Sequence, residues 1–347
     1  MSLVLSLTQS LRTQYPSNLD KNEQRLSRYG AWDFFRSDSN APGTIMTPEI
    51  KDKIKMSFGN TVVIPVIDGE DVAIGNARSC TVVDAENISK LVTLTFITYA
   101  FGFSMYPAQH YNNDVKYQAD YDRKLLKYLS KFSSVLDTQA IATLEAQKNQ
   151  FWTGIDPEFY PQVANALQVT QSQKNDFYNN ASAILERMDF YGKPQVVHNT
   201  YHKPLFNRLL NQGAQNDVNQ QFQFEPYTFW GTNRIPNGVG VQSAGYIVQE
   251  GSVGVENRND PDAILKSTGP GMEWSEVNMP IVNLNMGTFY REDCNNATAL
   301  HAGTVNLTRT KRESFEFSTD VCFMTVYNRS IATLNNPIVK FQVTTAP

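Results

Sequence analysis

The strongest periodic signal along the chain lies between residues 114 and 150. Tyr121, Leu125, Leu129, Phe132, Leu136, Ile141 and Leu144 recur there at the spacing of one helix face, and the positions between them are polar. The stretch contains no Pro or Gly. At ~1.5 Å per residue, about 35 residues predict a rod on the order of 50 Å. Ser133, Ser134 and Asp137 favour caps over helix interiors, so a two-helix hairpin broken near them is the competing expectation.

Ahead of the rod the pattern is extended. Residues 60–66, reading NTVVIPV, are β-branched, with Pro65 marking an edge or a bulge. Asp68-Gly69-Glu70-Asp71 is a turn signal, Val72-Ala73-Ile74 starts a second extended piece, and residues 79–83 and 91–105 are extended again. This predicts a β-hairpin feeding a longer sheet strand. Residues 1–55 mix short amphipathic stretches with breakers (Tyr15-Pro16, Ala41-Pro42-Gly43, Thr47-Pro48), which predicts an arm lying across something else. Within that arm, Thr47 as N-cap and Pro48 at the first helical position start a short helix.

After the rod, residues 151–161 read as an aromatic loop. Residues 170–188 read as a second helix, with Ser172 as cap and Phe177, Ala181, Ile184, Leu185 and Met188 on one face. Gln195-Val196-Val197 predicts a short buried strand and residues 204–210 a short helix. Beyond Gly213, short alternating stretches at 245–248, 279–284, 314–317, 322–327 and 337–343 predict a mostly β region. The class is α+β, without an internal repeat.

Composition narrows the function. A net charge of −4 argues against a dedicated nucleic-acid binder, which needs clustered cations. The densest basic group, Arg309-Thr310-Lys311-Arg312, is followed at once by Glu313 and Glu316 and reads as a solvated face. Cys80, Cys294 and Cys322 are too widely spaced for a zinc site or a disulfide framework. The start, MSLVLSLTQSLRTQ, lacks a basic n-region, and the apolar run 91–105 falls short of the ~20 residues that span a bilayer, so the expectation is a cytoplasmic chain with no membrane contact.

Candidate chemistry is sparse. His198 and His202 have the i, i+4 spacing of helical zinc ligands, but they follow a strand-like segment and lack the glutamate of an HExxH motif, so a loop or capping role is expected. The pairs Glu70/Asp71, Asp260/Asp262 and Glu292/Asp293 fall in turn-rich sequence. Gly238-Val239-Gly240 lacks the third glycine of a dinucleotide fingerprint. No catalytic, metal or cofactor residue is assigned. A carbohydrate-active hydrolase using Asp260, Asp262 or Glu292 near Trp274 is one alternative class; a portal or tail protein is another.

The order of elements resembles that of tailed-bacteriophage major capsid proteins of the Hong Kong 97 type. Its carriers are the turn region DGEDVAIGN, the rod DVKYQADYDRKLLKYLSKFSSVLDTQAIATLEAQ, and the passage ILERMDFYGKPQVVHNTYHKPLFNRLL. The resemblance implies an N-terminal arm at 1–55, an extended β-hairpin loop at 56–90, and a peripheral domain at 91–190 with its spine helix at 114–150. It further implies an axial domain at 191–305 and C-terminal strands at 306–347 that return to the peripheral domain. It also implies a virion protein that assembles in host cytoplasm, as hexamers and pentamers of itself, into an icosahedral shell. Scaffold, portal and decoration proteins would be partners, with packaged double-stranded DNA in non-specific proximity. Phe34 and Phe35 in the arm and Val72 and Ile74 in the hairpin are candidate inter-subunit contacts, being apolar residues in segments with little core of their own; packing within their own chain is the equal alternative for each.

Overall fold

The computed structural model describes residues 7, 29–67, 89–110, 114–150, 160–170, 172–173, 177–188, 190, 192–199, 214–216, 221–224, 227–259, 272–279, 282–296, 309–326 and 336–345.

Helix α1 (Gly30–Asp38) carries Asp33 in its first turn and Arg36 in its last, each placed to suit the helix dipole. Helix α2 (Pro48–Met56) begins as expected, with the Thr47 hydroxyl accepting the Ile50 N–H at 3.4 Å and Pro48 at the first helical position. Strand β1 (Thr61–Ile67) pairs antiparallel with β2 (Ser89–Thr95), in register from Thr61 opposite Thr95 to Ile67 opposite Ser89. The hairpin's return strand therefore lies beyond the turn region read from the sequence, and residues 68–88 between the two strands are outside the described residues. Phe96 interrupts the extended run before β3 (Ile97–Met105), so one stretch of chain serves two sheets.

Helix α3 (Asp114–Ala146) is a single rod of 33 residues, which at ~1.5 Å per residue is about 50 Å long. The rod read from the sequence is unbroken, and the competing two-helix hairpin does not occur. The Ser133 hydroxyl donates to its own helix, to the Leu129 carbonyl, and Asp137 is used elsewhere, as described below. Strands β4 (Gln162–Val163) and β5 (Ala166–Val169) and helix α4 (Phe177–Arg187) follow, then the fully buried β6 (Pro194–Asn199). Next come β7 (Ala214–Asn216), β8 (Gln221–Phe224), β9 (Tyr227–Thr232), β10 (Val241–Gln249) and β11 (Val253–Arg258). The remaining strands are β12 (Met272–Met279), β13 (Leu284–Asn296), β14 (Arg309–Thr325) and β15 (Ile338–Thr344). Residues 279–284, read from the sequence as one strand, instead end β12 and open β13: Asn283 takes a left-handed φ of 55° and its N–H donates to the Met279 carbonyl at 2.8 Å.

Two larger sheets organise the molecule. One has eight strands in the order β4-β5-β15-β10-β6-β9-β8-β7, and β15 runs parallel to β5. The other is built around β14, which pairs with β3 along one edge and with β13 and then β11 along the other. Sheet membership thus changes at places other than the boundaries expected near residues 190 and 305. Strands β4, β5 and β15 join β6 and β10, whereas β11, β12 and β13 join β3.

The α3 stripe read from the sequence is the core face: Tyr121, Leu125, Leu129, Leu136 and Leu144 are fully buried, with Phe132 and Ile141 nearly so. Its first half lies on the β3–β14 sheet, where Tyr121 meets Phe103 and Phe315 edge-on and Phe132 meets Tyr99. The same core cluster continues to Val197, Trp230, Tyr246 and Ile338 of the eight-stranded sheet, so one rod spans both sheets. A second cluster on the other side of the eight-stranded sheet takes the face of α4, with Phe177, Ile184 and Leu185 against Val196, Phe229 and Phe341.

Candidate assembly surface

The arm expectation is half overturned. Residues 29–38 are wedged between α3 and both sheets, because Trp32, Phe34 and Phe35 have partners there: Phe34 lies beside Trp230, and Trp32 and Phe35 meet Phe323 edge-on. Two buried carboxylates fix the wedge. Asp137, from the middle of α3, accepts the N–H groups of Ala31 and Trp32 at 2.9 and 3.0 Å, which satisfies donors that the first turn of α1 leaves without helical partners. Its other oxygen accepts the Thr232 hydroxyl at 2.6 Å, with the Arg234 guanidinium 3.8 Å away. Asp38, at the far end of α1, accepts the N–H groups of Gly251 and Val253 and the Gln195 amide at 2.8, 2.9 and 2.9 Å, and Gln195 in turn accepts the Trp230 indole N–H. Burial pushes both carboxyls up, each to about 6, against the pull of these donors.

The β1–β2 hairpin is held at its root by Arg258 of β11. The Arg258 guanidinium lies 3.7 Å from the Phe96 ring centroid, donates to Asp320 at 3.1 Å and to the Ser57 hydroxyl at 2.6 Å, and reaches the carbonyls of Ser57 and Gly59. Asp320 also accepts the Thr98 hydroxyl at 2.7 Å, so β3, β14, β11 and the hairpin root share one buried polar knot. A lone two-stranded hairpin is marginal in water, and this one gains its order by burying one face. Val62, Ile64, Leu94 and Phe96 pack with Met46, Ile54, Cys322 and Met324.

The opposite face of the hairpin is bare. Val63 is 48% exposed and Leu91 70%, and the register places Leu91 opposite Pro65 on the same side. Met56 and Phe58, immediately before the hairpin, are 77% and 81% exposed. These are the residues that the sequence reading missed. The alternation of NTVVIPV was visible, but which of its two faces turns outward depends on Ile54, Met46 and Arg258, none of them local to the strand.

The chemical candidates do not converge. His198 lies on strand β6, buried, with Nδ1 2.8 Å from the Asn199 carbonyl, so a helical i, i+4 ligand pair with His202 does not form; His202 itself is outside the described residues. Glu292 pairs with Lys311 at 3.0 Å and Asp293 with Arg291 at 2.9 Å, on opposite faces of β13. Asp260, Asp262, Glu70 and Asp71 are outside the described residues, among which no group of three or more ligating side chains could hold a metal. An open depression of about 580 Å³ on the face of the β3–β14–β13 sheet away from α3 is floored by Gly102 and flanked by Arg291 and Arg312, whose charges already face Asp293 and Ser104.

No protein-family profile matches this sequence, and no curated protein matches it either. A solved structure matches over most of the chain: a chain of the cyanophage A-1(L) capsid asymmetric unit superposes with a TM-score of 0.52, at 10% identity, over 91% of this chain and 92% of that one. The chain has a phage capsid fold. More distant likenesses, to the cyanophage Pam1 capsid asymmetric unit (TM-score 0.46, 10% identity, 85% and 87% of the two chains) and the capsid of Ralstonia phage GP4 (0.45, 9%, 85% and 86%), add nothing to that statement.

Within this capsid fold the sequence-derived contact residues part ways. Phe34 and Phe35 are fully buried in their own subunit, leaving no ring surface for a neighbour. Packing within their own chain, the alternative the sequence left open for them, is what they do, because α1 is itself part of the core. Val72 and Ile74 lie outside the described residues. Among the described residues, the apolar surface left uncovered around the hairpin is that of Met56, Phe58, Val63 and Leu91.

Proposed function

We propose that this chain is the major capsid protein of a tailed bacteriophage, of the Hong Kong 97 type, and that it assembles with copies of itself into an icosahedral shell around double-stranded DNA. The supporting observation is the capsid fold shared over nine-tenths of the chain. In this reading α3 is the spine helix, the β3–β14 sheet with α3 is the peripheral domain, the eight-stranded sheet is the axial domain, and β1–β2 is the root of the extended loop. Val72 and Ile74, outside the described residues, remain candidate contacts of the extended loop in this reading.

Physically, the function is repeated association through heterologous surfaces that close into rings of five and six. Exposed Met56, Phe58, Val63 and Leu91 suit it, since an uncovered apolar patch marks an interaction surface. Scaffold, portal and decoration proteins are the further partners this role requires, and the virion is its location. The experiment is a cryo-EM reconstruction of particles purified from the source that encodes the chain. Density fitted by this fold at five-fold and six-fold positions is the expected result; a shell built from a different polypeptide overturns the proposal.

A further inference from the structure

The chain is acidic overall, yet one face of its longest helix is not. Along the first half of α3, Lys116, Arg123, Lys127 and Lys131 are all exposed. At 100° per residue these four and Lys124 fall within an arc of about 100°, and from Lys116 to Lys131 the stripe runs roughly 22 Å along the axis. One carboxylate interrupts it: Asp120 is bridged by Arg123 at 2.9 Å and Lys124 at 3.0 Å. Lys124 is also tied to the body, its ammonium 3.2 Å from the Ser104 carbonyl. Within this arc five cations thus stand against one carboxylate, Asp120, in a chain of net charge −4. The apolar face of α3 points the other way, into the β3–β14 sheet.

We infer that this stripe binds the phosphate backbone of duplex nucleic acid. The inference rests on the capsid reading for why a duplex would lie nearby, although the stripe itself does not. Charge complementarity calls for a polyanion, and the composition of the stripe selects which one. A protein partner needs apolar or aromatic anchors at the centre of its footprint, where lysine is depleted. Between Lys116 and Lys131 the exposed side chains within the arc are charged, continuing into Ser134 and Thr138, and the helix's exposed Val115, Tyr128 and Val135 lie outside it. The ~6 Å rise between Lys127 and Lys131 is close to twice the ~3.4 Å axial spacing of phosphates along one strand. Contacts of this kind read charge and not sequence, and they weaken steeply with salt.

The test uses the full-length unassembled subunit and a fluorescent 30-base-pair duplex, with anisotropy followed from low to moderate salt. Wild type should bind with a log K against log salt slope of roughly −3 to −4, as about four phosphate contacts give. Lys127→Gln with Lys131→Gln should flatten the slope by about 1.8 and weaken binding roughly tenfold or more at 0.1 M salt. Lys53→Gln with Lys55→Gln, on α2, should bind as wild type does. No binding by wild type at low salt, an unchanged slope in the α3 variant, or tighter binding of a poly-glutamate peptide than of the duplex overturns the inference, the last assigning the stripe to an acidic protein. Shell formation, followed separately by sedimentation of both variants, reports on the capsid reading alone.

Discussion

Asp137 offers a measurable separation of charge from hydrogen bonding at the joint that holds α1. Replacing it with alanine orphans the N–H groups of Ala31 and Trp32 in the core, at about 1–3 kcal/mol for each buried donor left unpaired. Asparagine keeps an acceptor oxygen for both donors while removing the charge. The two variants should therefore differ by roughly 2–6 kcal/mol, with Asp137→Ala the less stable. The charge itself works against folding: burial raises the carboxyl from 3.8 to about 6, and that distance corresponds to roughly 3 kcal/mol. A carboxyl whose folded pKa lies above its unfolded value takes up its proton first in the folded state, so stability rises as pH falls through about 6 and levels off near the unfolded value. Wild type should gain stability between pH 7.5 and 5, and Asp137→Asn should gain less. Urea unfolding of the unassembled subunit, for wild type and both variants at the two pH values, measures these differences. Equal stabilities for the Ala and Asn variants would refute the capping role, and a wild type that loses stability on acidification over this range would refute the charge argument.

Other outcomes follow from the same geometry. Phe35→Ala leaves a cavity between α1 and the Phe323 ring and should lower unfolding stability by about 3–5 kcal/mol, read from denaturant titration. Arg258→Ala strands the buried Asp320 and releases the hairpin root; the expected loss is about 3–5 kcal/mol, with amide hydrogen exchange accelerating first in residues 57–67 and 89–96. Val63→Lys with Leu91→Lys changes only exposed positions, so folding stability should stay within about 0.5 kcal/mol while sedimentation of assembly mixtures shows no shells. Shells formed as efficiently as by wild type would remove the hairpin face from the assembly surface.

The elements that could be read from sequence are those whose cause is local. The α3 stripe repeats its apolar residues over about six turns, and Thr47-Pro48 caps its own helix; each carries its signal within a few residues. The burial of α1 is of the other kind. Asp137 reaches Ala31 across 106 positions and Asp38 reaches Val253 across 215, so the aspartate that looked like a helix breaker is a cap for a different helix. The same limit hid the outward face of the hairpin, set by Arg258 from 199 positions beyond Gly59. It also hid the basic stripe on α3, because a chain-wide net charge averages away a cluster that only helical geometry brings together.

The placement of α1 also dictates when the subunit becomes finished. Helix α1 is seated by groups at positions 230–255, some 200 residues later in the sequence, β3 waits for β14, and the end of α3 is closed by Asn336 and Ile338, nearly 190 residues after it. Until the ribosome has delivered those later segments, Trp32, Phe34, Phe35 and the aromatic side of the rod lack the partners that bury them. Such long-range closure makes for slow maturation of the polypeptide and for a newborn chain that presents sticky rings to its surroundings. A cell making many copies at once would have to shelter each of them, by chaperones or by dilution, before any two were fit to meet.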